Sequence, residues 1–226
     1  MRPHLAIAAF LLAAPGVATA QTTSDEIVVS AHRQGRIDLK RLAAAESAFE
    51  AQRDQYAPGS RLEFLLKRGE DRLRGYHLML VDGDRSVPVP VSADGLFTLP
   101  EHGSGTWELW HDAGRGKVVV RARVRSPGAT DIDAPLGDFR LMCRVNYELL
   151  KPDLNVFMRA GFATIGGCNS RSFGFNFQVP QALSAAVVDA GGRTVPLSVH
   201  GRSFRAPLGD KRLPNSARVR LTPAGA

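Results

Sequence analysis

The feature that most limits what this chain can fold into is a pattern it states twice. The first copy runs Leu80-Val81-Asp82-Gly83-Asp84-Arg85-Ser86-Val87-Pro88-Val89-Pro90-Val91, then Gly95-Leu96-Phe97-Thr98-Leu99-Pro100. The second runs Val187-Val188-Asp189-Ala190-Gly191-Gly192-Arg193-Thr194-Val195-Pro196-Leu197-Ser198-Val199, then Gly201 to Pro207 with Phe204 at its centre. Each reads as strand, Asp-containing turn, Val-Pro strand, Gly turn, Phe strand. Ser60-Arg61 and Ser170-Arg171 lead into each copy, and Ala122-Arg123-Val124-Arg125 recurs as Ala217-Arg218-Val219-Arg220. Short strands at near-regular spacing, separated by turn residues, indicate a sandwich or barrel. The expected fold is therefore mainly β: two duplicated β-sandwich-type modules, an N-terminal helix, and a disulfide-stapled strand–helix insert.

The first twenty residues read as an export signal. Arg2 precedes the apolar run Leu5–Ala14, Pro15 ends it, and Ala18-Thr19-Ala20 offers a small-x-small cleavage site before Gln21. The run is shorter than the ~20 apolar residues a span requires, and no later stretch is long enough. The expected product is a periplasmic chain of 206 residues (226 − 20) with no transmembrane segment. In an oxidising compartment its two cysteines, Cys143 and Cys168, are expected to pair.

The expected divisions are signal peptide 1–20, mobile tail 21–36, helix 37–58, β module 59–126, linker 127–138, strand–helix insert 139–169 and β module 170–226. Asp38 is placed to cap the helix, with Ile37 and Leu42 at staple positions and Pro58-Gly59 stopping it. The first module's strands are placed near 62–67, 76–81, 87–91, 96–99, 106–110 and 117–125. Pro88 and Pro90 confine the Val-Pro strand to a sheet edge. From the Val-Pro strand to the Ala-Arg-Val-Arg strand the first copy spans 35 residues (87 to 122) and the second 22 (195 to 217). The difference predicts an inserted hairpin holding Trp107, Trp110, His111 and Asp112. In the insert, Phe139, Leu141, Cys143, Val145, Tyr147 and Leu149 alternate with more polar residues, which predicts a half-buried strand. A short helix over 154–165 follows it.

The chain carries a net charge of +7, almost all of it from arginine. Arg suits bidentate contacts to carboxylate and phosphate, so an anionic envelope component such as lipopolysaccharide or peptidoglycan is one reading. A coding bias toward Arg is the other. Arg121, Arg123 and Arg125 share one face of a strand whose other face is Val118, Val120, Ala122 and Val124, and Arg218 and Arg220 repeat the row. Such rows suit a line of anionic groups; equally, charge on an exposed face discourages edge pairing. Trp110, beside His111 and Asp112, is placed either to stack on a sugar or to cover core. No aromatic–basic motif supports nucleic acid.

No nucleophile elbow, zinc-protease helix, phosphate loop or dinucleotide fingerprint is present. The chain reads as a non-catalytic binding or envelope-scaffolding protein without cofactor or metal. Asp131, Asp133 and Asp138 lack calcium spacing, and two cysteines without histidine fall short of a zinc set. A hydrolase of envelope polymers, the alternative, would need a solvent-open cluster such as His102, His111 and Asp112.

Three resemblances extend the reading. Val87-Pro88-Val89, Asp94-Gly95-Leu96-Phe97 and Thr106-Trp107 resemble the transthyretin-like and carboxypeptidase-regulatory sandwich modules, which implies an accessory or binding role. Asp25-Glu26-Ile27-Val28-Val29-Ser30-Ala31 resembles the TonB box of outer-membrane receptors. It implies strand addition to an envelope protein partner and a TonB-coupled accessory role. In overall layout the chain is similar to uncharacterised secreted proteobacterial proteins, a likeness that implies no activity.

Overall fold

A computed structural model describes residues 35–170 and 175–225. The signal-like segment, the TonB-box-like stretch and Phe173 lie outside the described residues. Within the compact unit His32–Ala226, the chain begins with β1 (Gly35–Ile37) and α1 (Leu39–Tyr56). β2 (Arg61–Arg68), β3 (Asp71–Arg72), β4 (Leu78–Asp82), β5 (Arg85–Val89), β6 (Leu96–Phe97), β7 (Glu108–His111) and β8 (Val119–Arg125) follow. Next come β9 (Asp133–Pro135), α2 (Leu136–Leu150) and α3 (Val156–Thr164). The described chain ends with β10 (Asn176–Gln178), β11 (Leu183–Asp189), β12 (Thr194–Pro196), β13 (Val199–His200), β14 (Ser203–Arg205) and β15 (Arg218–Pro223). The described residues form a mainly β protein with four antiparallel sheets, three α-helices and the Cys143–Cys168 disulfide. No described helix is long and apolar enough to cross a membrane.

α1 forms as its sequence predicts. The Asp38 carboxylate accepts from the Lys40 N–H at 3.0 Å, and Leu42, Ala45 and Phe49 are buried at helical spacing. β5 carries Pro88 and pairs only with β4, so it is the predicted edge.

The segment predicted as a strand over 139–149 is instead the helix α2, and the error has a geometric cause. Successive helical residues are rotated by about 100°, so positions two apart sit on opposite faces and positions four apart share one. Leu141, Val145 and Leu149 form one row and enter a core with α1, β2, β4, β7 and β8. Phe139 and Cys143 form the other and, with Leu136, enter a second core with β11, β14 and β15. Two apolar rows on opposite sides of a helix write the same alternation as a strand. The placement of Cys143 in the interior holds, because that face is one of the two buried ones.

The predicted linker is also corrected. Within 127–138, Asp133–Pro135 is β9 and Leu136 opens α2. Gly35 and Arg36, assigned to the tail, belong to β1. The inserted hairpin is no excursion: β7 lies inside a sheet, between β1 and β4.

The two sheets that carry the repeated Asp-turn hairpin share one order. In the first, β1 leads into α1 and pairs with β7, then β4, then its hairpin partner β5; in the second, β9 leads into α2 and pairs with β15, then β11, then β12. Phe64 faces Phe97 across β2–β6, and Phe177 faces Phe204 across β10–β14. The two Ala-Arg-Val-Arg strands break the correspondence: β8 pairs with β2, whereas β15 takes the place between β9 and β11 that β7 holds in the first sheet.

Candidate functional site

Strand alternation puts Phe64, Leu66, Ala122 and Val124 into the first core and turns Arg61, Glu63, Lys67, Arg121, Arg123 and Arg125 to the other face. The register sets Arg61 opposite Arg125, Glu63 opposite Arg123 and Leu65 opposite Arg121. This face is not open along its length. Lys67 donates to Gln178, and Arg202 pairs with Asp71 at 3.2 Å, so the region of β10 and the β13–β14 turn closes one end. Arg121 there is half-buried; burial lowers its pKa, and its guanidinium donates to the Val120 carbonyl at 3.1 Å.

At the other end the loop after β8 folds back over the face. Its Asp131 pairs with Arg123, with Arg125 at 3.3 Å and with Arg72 at 4.0 Å. Glu63 takes Arg61 at 3.1 Å and Arg125 at 3.8 Å. The Arg123 side chain is only 13% exposed; burial first, then the charges of Arg125 and Arg72, pull its pKa down to about 10, which still leaves it cationic at neutral pH. Arg125 Nε and Glu63 Oε2 are buried without a hydrogen-bond partner. Four guanidiniums (Arg61, Arg72, Arg123, Arg125) thus share two carboxylates.

This surplus borders a cleft of about 210 Å³ lined by Gly59, Arg61, Arg125, Ser126, Pro127, Gly128 and Ala129. The cleft loop is fixed from beneath. Asp138, in the first turn of α2 and 1% exposed, accepts from Ser126 N–H at 2.9 Å and Ser126 Oγ at 2.6 Å. Burial raises the Asp138 carboxyl above its ordinary range; the Ser126 bonds and the charges of Arg218 and Arg123 oppose the rise.

The other predicted residues lie elsewhere. Arg218 pairs with Asp133 at 2.8 Å and Arg220 with Asp189 at 3.0 Å, so each has its own carboxylate on the β11–β15–β9 sheet. They do not extend the first row, because β15 and β8 belong to different sheets. Trp110 is half-buried on β7, opposite Met79 and Arg36, and its indole N–H donates to Glu108 at 3.1 Å.

His102, His111 and Asp112 do not form one cluster. His102 packs edge-on against Trp107. His111 is buried against Gly35, and burial lowers its pKa. Asp112 is bound instead by His77, through the ring at 2.7 Å and the backbone N–H at 2.6 Å. Burial pushes the Asp112 carboxyl up, but the His77 bonds and charge outweigh it and hold it below the usual carboxylate range. This pair follows from the Leu78–His111 register, which no local motif announces. Among the described residues no three His, Cys, Asp or Glu side chains converge as metal ligands; Asp131, Asp133 and Asp138 are each engaged by arginine or serine.

The cleft and its guanidiniums are an arrangement suited to binding an anion. Comparison with protein-family models, with curated proteins and with solved structures found no match to this chain.

Proposed function

We propose that this chain is an exported, non-catalytic binding or scaffolding protein of the periplasm that contacts an anionic envelope component, either lipopolysaccharide phosphates or peptidoglycan carboxylates. The observation that carries this reading is the cleft lined by Arg61 and Arg125, with Arg72 and Arg123 behind it bringing to four the guanidiniums that pair with Glu63 and Asp131. Guanidinium forks bind carboxylate and phosphate in two-point contacts. Arg61, with 66% of its side chain exposed, is the group through which a ligand enters; Arg125 and Ser126 lie behind it. Export rests on the Arg2–Ala20 pattern and accords with a disulfide in the fold. The chain is also read as two related units, each beginning with a strand and helix and carrying the Asp-turn hairpin. The matching sheet orders support that reading.

The test is co-sedimentation of the chain from Gln21 onward with purified sacculi and, separately, with lipopolysaccharide vesicles. Binding is expected at low salt, weakened at 0.5 M salt as screening shortens the reach of the charges, and reduced severalfold by Arg61→Gln. Absence of binding to both at low salt overturns the reading.

A further inference from the structure

α3 is built to stand out from the surface. Pro152 interrupts the chain after α2. Asn155 then caps the new helix, its side chain accepting from the Met158 N–H at 2.8 Å, and Gly166, in the left-handed region at φ 85°, ends it. One side holds it to the body: Phe162 stacks on Tyr147 with ring centroids 4.5 Å apart, and Cys168 is tied to α2 just beyond; Arg159 closes the start of the helix by donating to the Leu154 carbonyl at 2.9 Å.

The opposite side is apolar and uncovered. Val156 is 74% exposed, Phe157 87%, Met158 55% and Ile165 42%. At about 100° per residue, Val156 and Met158 bound an outward arc of about 200°. Within it lie Ala160, Phe157, Gly161 and Ile165. Thr164 is the one polar side chain there, and its hydroxyl donates back to the Ala160 carbonyl at 2.9 Å. An arc this wide without a charge is ordinarily covered.

Two observations indicate what covers it. Side chains of this size and exposure present on the order of 400–500 Å² of apolar surface, a patch of functional size, but about half of the roughly 800 Å² per partner that a stable dimer buries. Arg41, Lys117, Lys151 and Arg159 stand at the base of the helix among Asp38, Glu148 and Asp153. The chain as a whole carries +7, so an anionic surface attracts it. We propose that α3 is a lipid anchor: Val156, Phe157 and Met158 insert between the headgroups of an anionic bilayer while the rest of the protein stays in water. This is independent of the arginine cleft.

The test uses the chain from Gln21 onward, which keeps the whole compact unit, with vesicles of phosphatidylethanolamine and phosphatidylglycerol. The protein should float with the vesicles, and Phe157→Ser should lower partitioning on the order of tenfold to a hundredfold with an unchanged melting temperature. Phe157→Trp should show blue-shifted emission, protected from an aqueous quencher, when vesicles are added. No flotation overturns the proposal. Flotation that Phe157→Ser leaves intact but Arg61→Gln abolishes also overturns it, and leaves the arginine cleft as the contact. A dimer in sedimentation equilibrium that Phe157→Ser dissociates assigns the patch to a second copy instead.

Discussion

Gly137→Ala sets two physical effects against each other with opposite signs. Gly137 lies in the first turn of α2, where glycine costs up to about 1 kcal/mol relative to alanine. On propensity alone the substitution stabilises. A Cβ at this position, however, would lie 1.9 Å from the Tyr56 carbonyl oxygen at the end of α1 and 3.1 Å from Asn215 Cβ. Side-chain Cβ atoms essentially never come closer than 3.0 Å to such an atom, so the helix ends must part by at least 1.1 Å (3.0 − 1.9). The obstacle is backbone and cannot rotate away. The parting also strains the Asn215 clamp, whose carbonyl accepts from Gly137 N–H at 2.9 Å and whose side-chain amide donates to the Gln55 carbonyl at 2.9 Å. Overpacking costs about 1–3 kcal/mol, and each weakened hydrogen bond about 1 kcal/mol. The clash wins: Gly137→Ala should destabilise by about 2–3 kcal/mol, a fall in melting temperature on the order of 5–10 °C. Gly161→Ala is the control, since its Cβ meets nothing within 4 Å; it should be neutral or slightly stabilising. The readout is urea unfolding followed by circular dichroism. A Gly137→Ala protein as stable as wild type would refute the close approach of α1 and α2.

Three further outcomes are expected. Replacing Cys143 and Cys168 by alanine and serine opens a loop of 25-residue separation; chain entropy makes this worth about 3.5 kcal/mol, and wild type in excess reductant should lose a similar amount in the same urea titration. Asn146→Ala should cost about 1–3 kcal/mol by the same measurement. That amide accepts from Ala122 N–H and donates to Ala122 C=O, both at 2.9 Å, satisfying the edge of β8 that faces away from β2. Asp138 binds its proton more tightly folded than unfolded, because burial raises its pKa. Its contribution to stability is therefore greatest below the ordinary aspartate pKa and falls as pH rises through the raised one. The stability of wild type relative to Asp138→Asn should decline across that window in pH-dependent unfolding, and a flat difference would show that the folded pKa is not raised.

Some of this architecture is legible in the sequence, and the rest is not, for physical reasons. α1 is legible because it has a cap, one apolar stripe and a stop at Pro58-Gly59. The Asp-turn hairpins are legible because a turn is a local object, and β5 declares itself an edge through Pro88. α2 is illegible because it buries two opposite faces, so its period resembles that of a strand. The Ala-Arg-Val-Arg quartets mislead for a different reason. Alternation fixes which face a residue occupies but not which strand lies alongside, and β8 and β15 have different neighbours. At the candidate site the outward arginines were readable; their partners were not. Glu63 comes from a strand 58 to 62 residues earlier in the chain than Arg121 to Arg125, and Asp131 comes from a segment that looks like solvated linker. The helix carrying Phe157 was readable as a helix, but its exposure depends on which side Tyr147 occupies.

α2 joins these features into one mechanical argument. Near its start, Asp138 fixes Ser126 and with it the loop that lines the arginine cleft. Beyond its end, Lys151–Asp153 and Asn155 launch α3, and the disulfide from Cys143 fastens the far side of that helix. Its flanks are locked as well: Arg140 binds the Leu208 and Asp210 carbonyls and the Asn215 side chain, and Asn146 binds β8. A helix of 15 residues is about 22 Å long at 1.5 Å per residue. The cleft loop and the exposed apolar turn are therefore tied near opposite ends of one helix. If both proposals hold, the anionic ligand and the lipid surface are met near opposite ends of α2. The proposed scaffolding role would use both ends, whereas binding of a single ligand would use only the cleft.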